Sequence, residues 1–488
     1  MTKLSAHPAA PAHGAVPDPL RLAASARSAG VWLPRTTEVH HWLATVGQHA
    51  RAQVERVPLA ELDGWLRDPA TGNIAHRSGG FFTVEGLDVT IPRAPVPHWE
   101  QPIINQPEVG LLGIVVKEFD GVLHCLMQAK LEPGNCNGIQ LSPTVQATRS
   151  NYTRVHRGRP VPYLEHFQDP ARRSRILADV RQSEQGSWFH HKRNRNMVVE
   201  VEEDIDVHDG FCWLSLGQLH ELLTVDNLIN MDTRTVLSCL PFAHAGLAAV
   251  AAPGADPFRR ALVASCAPDG YSRHSLGDLL SWITDVRTRT EVRTEMVPLD
   301  GLRSWRRTDE RISHEDGGFF DVIGVRVRTR GREVAEWTQP MIEPHAKGVV
   351  AFLVRPIEGV LHVLVHARVE PGYVDIVELA PTVQCTPDSY ERLPARARPL
   401  FLDEVLPARA DRVRFDAELS EEGGRFYHAR NRYLVAETDL AAGFDHPDFR
   451  WVTLAQLVEL LRHSHYVNIQ ARSLVACLYG LATAPPRR

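Results

Sequence analysis

The chain has 488 residues, 43% hydrophobic and 23% charged, with a formal net charge of −5. These values are ordinary for a soluble globular protein and leave room for two domains, each with its own core. They give no basic footprint for nucleic acid or an anionic membrane, and no run approaches the ~18 apolar residues of a membrane span.

Residues 1–30 carry Pro8, Pro11, Pro17 and Pro19 among many alanines and read as a disordered tail. Beyond them the chain is written twice. Trp99, Gln101 and Pro102 return as Trp337, Gln339 and Pro340, Glu132-Pro133-Gly134 as Glu370-Pro371-Gly372, and Asn230 and Arg234 as Asn468 and Arg472, always 238 residues apart. The spacing predicts two domains, 31–245 and 271–488, joined by an Ala-, Pro- and Gly-rich linker over 246–270. It also supplies an internal control. A residue kept in both copies serves the fold or a shared ligand, whereas a polar residue present in one copy is a candidate for chemistry there.

Each copy opens with a helix-like stretch bearing Trp42 or Trp282. Strands are predicted over 81–89, 110–116 and 122–130, the last two joined at Asp120-Gly121, a strong hairpin signal. Glu132-Pro133-Gly134 breaks the third strand, and a further strand runs through Met197-Val198-Val199. Helices over 216–224 and 233–240 close the first copy, matched by 454–461 and 472–478 in the second. Strands in the middle and helices at the ends make an α+β domain. The seven cysteines are scattered, odd in number and without a CxxC pair, which fits a reducing cytoplasm.

Three clusters carry candidate chemistry. One face of strand 122–130 presents His124, Leu126, Gln128 and Lys130, with Glu132 just beyond. That pattern fits a solvated face or a ligand-facing one; His362, His366, Arg368 and Glu370 on the same face of the second copy favour a ligand. The polar stretch 140–156 keeps Gln146 and Tyr152 as Gln384 and Tyr390, but Arg149, Asn151 and His156 become Pro387, Ser389 and Pro394. His191, Arg193, Asn194 and Arg195 match His428, Arg430, Asn431 and Arg432, and two arginines flanking an asparagine suit a diphosphate clamp. Trp99 and Trp337 either stack on a nucleobase or pack in the core. No GxGxxG, GxxxxGK[ST], HExxH or GxSxG motif is present.

The segments WEQPIINQPEVGLLG, DGVLHCLMQAKLEPGN, QLSPTVQATRSNYTRVH and EGGRFYHARNRYLVAE resemble the NDP-hexose 2,3-dehydratase family over about residues 35–482. The resemblance implies a tandem duplication of a Nudix-like mixed-sheet domain with flanking helices, the first copy catalytic and the second auxiliary or structural. The Nudix metal box is missing, which argues against metal-dependent diphosphate hydrolysis. The implied reaction is loss of water across C2 and C3 of dTDP-4-keto-6-deoxyglucose, with no cofactor and no metal. The resulting 3,4-diketo sugar goes to a separate NAD(P)H-dependent 3-ketoreductase. The acidic balance and the lack of a long apolar run predict no nucleic-acid or membrane partner, and a homodimer is the commonest default for a soluble oligomer.

For this chemistry we expect Glu132 to be the base at C3, Lys130 or Tyr152 to polarise the C4 oxygen, and His156 or His124 to protonate the leaving hydroxyl. Trp99, Gln101, Asn135, Gln146, Arg149, Asn151, Arg154, His191, Arg193, Asn194 and Arg195 are expected to hold the substrate. Trp337, Gln339, Glu370, Gln384, Arg430, Asn431 and Arg432 form a second-copy nucleotide-sugar site. The alternative from another class is a non-catalytic nucleotide-sugar-binding or scaffold protein for the reductase.

Overall fold

The computed structural model describes residues 18–30, 33, 35–50, 53–152, 160–242, 256–330 and 334–483. Each copy contains a seven-stranded mixed sheet. In the first, the order is Arg175–Ser183, Arg193–Glu200, Gly110–Phe119, Val122–Leu131 and Phe211–Ser215, with Ile139–Ser142 and Val145–Ala147 added to the two middle strands. The second sheet repeats this order from Val413–Ser420 to Phe449–Val452. Among the described residues of the first large sheet, only Arg193–Glu200 and its neighbour Gly110–Phe119 run parallel, and that central strand is apolar on both faces. The Asp120-Gly121 hairpin forms as expected, with φ of 49° and 79°, the two left-handed positions that such a turn requires.

The smaller sheets are shared between the copies. Strand Gln53–Val57 of the first copy pairs antiparallel with Phe320–Arg328 of the second. In exchange, Arg293–Val297 of the second pairs with Thr83–Thr90 of the first. One apolar core then runs through both large sheets, holding Leu112 and Ile114 together with Val350 and Phe352. Helices Met231–Ser238 and Ile469–Thr483 pack at its centre. Arg234 and Arg472, one from each helix, are fully buried there and bond across the pseudo-dyad. Arg234 donates to Ser473 Oγ and Ser420 O, and Arg472 to Thr235 Oγ1 and Ser183 O.

The expected disordered tail and the expected linker are both partly helical. Of the predicted tail, residues 1–17 lie outside the described residues, but Asp18–Ala26 is a helix. It buries Leu22 and Ala23, and its Arg21 reaches Glu118 at 2.6 Å and Glu200 at 2.5 Å. Of the predicted linker, 256–270 contains the helix Pro257–Ser265, capped by Asp256, with Phe258 and Leu262 in the core. Both helices are short and alanine-rich, and it is their contacts rather than their composition that order them. No helix of the described residues is long and apolar enough to cross a membrane.

Candidate active site between the two copies

A cavity of about 360 Å³ lies where the strand Val122–Leu131 ends, within the size range of small-molecule sites. Both copies build it. The first supplies Lys130, Glu132, Gln146, Glu184, Lys192 and Asp232; the second supplies Trp337, Gln339, Glu422 and Arg425. The crossing follows from the Glu-Pro-Gly signature. Gly134 N donates to Gly423 O at 2.7 Å, and Gly134 O accepts from His428 N at 2.9 Å. A Cβ on Gly134 would lie 1.8 Å from Phe426 O, so only glycine lets the loop reach the other copy.

Glu132 is held by a relay. Its Oε1 accepts from Gln146 Nε2 at 2.8 Å, and Gln146 Oε1 in turn accepts from Ser142 Oγ at 2.7 Å and Asn230 Nδ2 at 3.1 Å. Asn230 is also the N-cap of helix Met231–Ser238, whose second residue is Asp232. Lys130 Nζ donates to Gln146 O at 2.9 Å, which sets an ammonium beside the Glu132–Gln146 pair.

The cavity is crowded with acids. Burial raises the Glu184 carboxyl, and burial with the neighbouring Glu132 pushes the Glu422 carboxyl up to about 7. Asp232 is 4% exposed; burial, then Glu184 and Glu132, hold its carboxyl well above the ordinary range. Lys192 is 5% exposed, and burial, opposed by Glu184, brings its ammonium down to about 8. Arg425 lies over the Phe82 ring at 4.3 Å, and Trp337 Nε1 donates to Gln339 Oε1 at 2.9 Å. Proton donors, acceptors and cations thus face one small volume with aromatic walls, an arrangement suited to moving protons on a polar, anionic ligand.

The expected residues divide. Glu132, Lys130, Gln146, Asn151 and Asn194 line the cavity, as do Trp337 and Gln339. Those last two were assigned to the second site; the crossing places them in the first. Trp99 and Gln101 lie away from it, with Gln101 Nε2 on Ser187 O at 2.7 Å and Trp99 against the core of Leu87, Val89 and Ile103. Asn135 sits behind the Glu-Pro-Gly turn, donating to Gly138 O at 3.1 Å. Arg149 is exposed and does not line the cavity. Arg154, His156 and the Tyr152 side chain fall outside the described residues.

His124 is not brought to the cavity. It is buried near the far end of its strand, six residues before Lys130, with Nδ1 on Val122 O at 2.9 Å. The face it shares is largely core, since Leu126 packs with Trp213 and Phe167. In the second copy His366 stacks on Phe449 at 4.5 Å, and burial lowers its pKa to about 3. Only the end of that face opens to the cavity.

The Arg-Asn-Arg clamp does not assemble. Alternation along a strand turns Asn194 inward, where it accepts from Gly110 N and donates to Glu184 Oε1 at 2.6 Å. Arg195 turns outward and pairs bidentately with Asp179 at 2.7 and 2.6 Å. Asn431 and Arg432 repeat both arrangements with Glu421 and Asp416, Arg430 pairs with Glu418 at 3.1 Å, and His191 is exposed. The conserved feature is the inward asparagine–glutamate bond.

Sequence reading missed Glu184, Lys192, Asp232, Glu422 and Arg425. Copy-to-copy comparison could have found four of them, because Lys192, Asp232, Glu422 and Arg425 match Ala429, Gln470, Gln185 and Trp188. The counterpart region, built from the second copy with Gln185 and Trp188 of the first, is more apolar and more tightly tied. Glu370 Oε1 accepts from both Arg368 Nε and Gln384 Nε2 at 2.9 Å, and Tyr373 stands where the first copy has Asn135. Tyr373 OH accepts from Asn468 Nδ2 at 3.1 Å, and Trp188 packs on Phe426 at 4.6 Å.

The family model for NDP-hexose 2,3-dehydratase matches residues 36–240 and again 276–478. A dTDP-4-dehydro-6-deoxy-alpha-D-glucopyranose 2,3-dehydratase of Saccharopolyspora spinosa is 53% identical over 94% of this chain and 95% of its own length. Proteins of the same description from Amycolatopsis orientalis and Streptomyces violaceoruber are 50% and 49% identical, over 95% and 91% of the chain and 94% and 97% of theirs.

Proposed function

The chain belongs to the NDP-hexose 2,3-dehydratase family, and from that premise we propose that its shared cavity removes water across C2 and C3 of dTDP-4-keto-6-deoxyglucose. The C4 ketone of such a sugar already acidifies the C3 proton, so the protein must furnish a base at C3, a donor at the C4 oxygen and an acid at the C2 oxygen. Glu132, fixed by Gln146, is the base. Lys130, beside the same glutamine, stabilises the enolate oxygen; such a donor contributes ~3 kcal/mol at the transition state. Arg425 and Lys192 hold the diphosphate end, and Trp337 offers a face to the nucleobase.

The observation that carries this reading is the asymmetry between the copies. Four ionisable side chains line this cavity where the counterpart positions hold Ala429 and Gln470 in the second copy and Gln185 and Trp188 in the first. A scaffold or sensor has no need of that difference, whereas a proton-transfer site does. The second copy, with Arg368 locked to Glu370, then serves the fold and supplies one wall of the working site. To the same reading belong the Nudix-type ancestry of each copy, a cytoplasmic homodimer and a separate NAD(P)H-dependent reductase acting on the 3,4-diketo product.

Incubation of the purified protein with dTDP-4-keto-6-deoxyglucose, followed by mass spectrometry, is expected to show loss of one water. Glu132→Gln is expected to lower that rate by at least ~100-fold, the scale of a positioned acid–base group. Turnover of this variant at the unaltered rate removes Glu132 from the role of base.

A further inference from the structure

Asp232 occupies the first turn of helix Met231–Ser238 and lines the shared cavity. Its Oδ1 is buried and has no hydrogen-bond partner among the described residues, an arrangement that costs stability unless a ligand completes it. The helix cap that places it, Asn230, is also the residue that fixes Gln146, which fixes Glu132. One hydrogen-bonded unit therefore presents both carboxyls to the cavity. The matching residue of the second copy is Gln470, which has no acidic proton to give.

We propose that Asp232 is the general acid of the elimination, protonating the C2 hydroxyl as it leaves; this rests on the dehydratase reading above. A proton donor must start neutral and tolerate its charge afterwards. Burial, then the neighbouring Glu184, Glu132 and Glu422 carboxylates, raise the Asp232 carboxyl well above its ordinary value and so favour its protonated form. Once it has given its proton away, the N-terminal turn of its helix and the Lys130 ammonium favour the anion.

The proton ledger closes within the pair. Glu132 takes the C3 proton, and the electron pair of that C–H bond forms the enolate C3=C4. The enolate then forms C2=C3 as the C2–O bond breaks, and the departing oxygen takes the Asp232 proton to leave as water. The enol so formed gives its C3 hydroxyl proton to Asp232 while Glu132 returns its proton to C2. The product is the 3,4-diketone, both carboxyls are restored, and no oxidant or reductant is consumed.

The test uses the full chain in deuterated water with two substrates, dTDP-4-keto-6-deoxyglucose and its 2-deoxy-2-fluoro analogue. Fluoride leaves without needing a proton. Asp232→Asn is expected to lose water at least ~100-fold more slowly, yet still to exchange deuterium into C3 and to release fluoride within tenfold of the unaltered rate. Glu132→Gln is expected to lose exchange and both eliminations together. Asp232→Gln, the residue the fold already accepts in the second copy, is measured alongside and read by the same three rates. Water loss within tenfold of normal in either Asp232 variant overturns the proposal. So does an equal fall of exchange, water loss and fluoride loss, which would place Asp232 behind the base or the fold. Absence of water loss from the unaltered protein sinks the dehydratase reading itself.

Discussion

Glu378 shows what burial of a single carboxyl does to this protein. It is fully buried and accepts from Ser183 Oγ at 2.6 Å, while Oε1 has no hydrogen-bond partner among the described residues and His465 Nδ1 lies 3.9 Å from it; burial pushes its pKa up from 4.5 to about 7. A carboxyl raised in the folded state stabilises the fold fully below its unfolded value, and that contribution is lost as pH climbs through 7. Glu378→Gln is therefore expected to change the melting temperature little at pH 4.5 and to raise it at pH 8, by up to about 3 kcal/mol in stability. A thermal melt series of both proteins between those limits checks the sign. Single residues were only partly legible in sequence. Glu132, Lys130 and Gln146 could be found because their spacing recurs. The Arg193-Asn194-Arg195 run was seen as charge, but which of its side chains faces inward depends on strand register, and register is set by the neighbouring strand.

The elements explain why the site is rigid. Asn230 does two things with one side chain: Oδ1 accepts from Thr233 N at 2.8 Å and caps a helix, while Nδ2 holds Gln146. Asn230→Asp keeps the cap, since aspartate caps about as well, but loses the donor. Its stability is expected to fall by ~1 kcal/mol or more, because a carboxyl buried among acids now faces the Gln146 oxygen, and kcat to fall about fivefold, the scale of one hydrogen bond at ~1 kcal/mol. Asn230→Ala adds no carboxyl but removes the cap as well, and is expected to lose kcat similarly and ~1 kcal/mol of stability. Parallel melts and steady-state rates separate the two. Gly134→Ala acts at the same level. Its added methyl meets backbone rather than a yielding side chain, so a loss of about 3 kcal/mol or more is expected, with Gly372→Ala equivalent because Phe189 O lies 1.8 Å from its Cβ. Sequence showed Glu-Pro-Gly as a loop in both copies, but a loop signal carries no information about what the loop touches.

At the scale of the whole molecule, the two copies are one folding unit. Repeats at a fixed offset reveal two similar units but are blind to exchange, because a strand has the same sequence whichever copy it pairs with. Here each copy lends a strand: Gln53–Val57 completes the second small sheet, Arg293–Val297 the first. Val57, Leu59 and Leu62 then share a small core with Leu299, Leu302 and Trp305. Each buried arginine spends a guanidinium bond on the other copy, and separation would leave Ser420 O and Ser183 O without those donors. An unsatisfied buried carbonyl costs ~1–3 kcal/mol, against a total of ~5–15 kcal/mol for a typical folded protein, before the exposed apolar surface is counted. Residues 1–245 and 246–488 expressed apart are therefore expected to give insoluble chains or chains without a cooperative melt. Coexpressed, they are expected to copurify and to regain dehydratase turnover, because Trp337, Gln339, Glu422 and Arg425 return to the cavity only then. A soluble first half that melts cooperatively and turns over substrate alone would show that the exchanged strand and the crossing side chains are ornaments of the fold rather than the reason the active site exists.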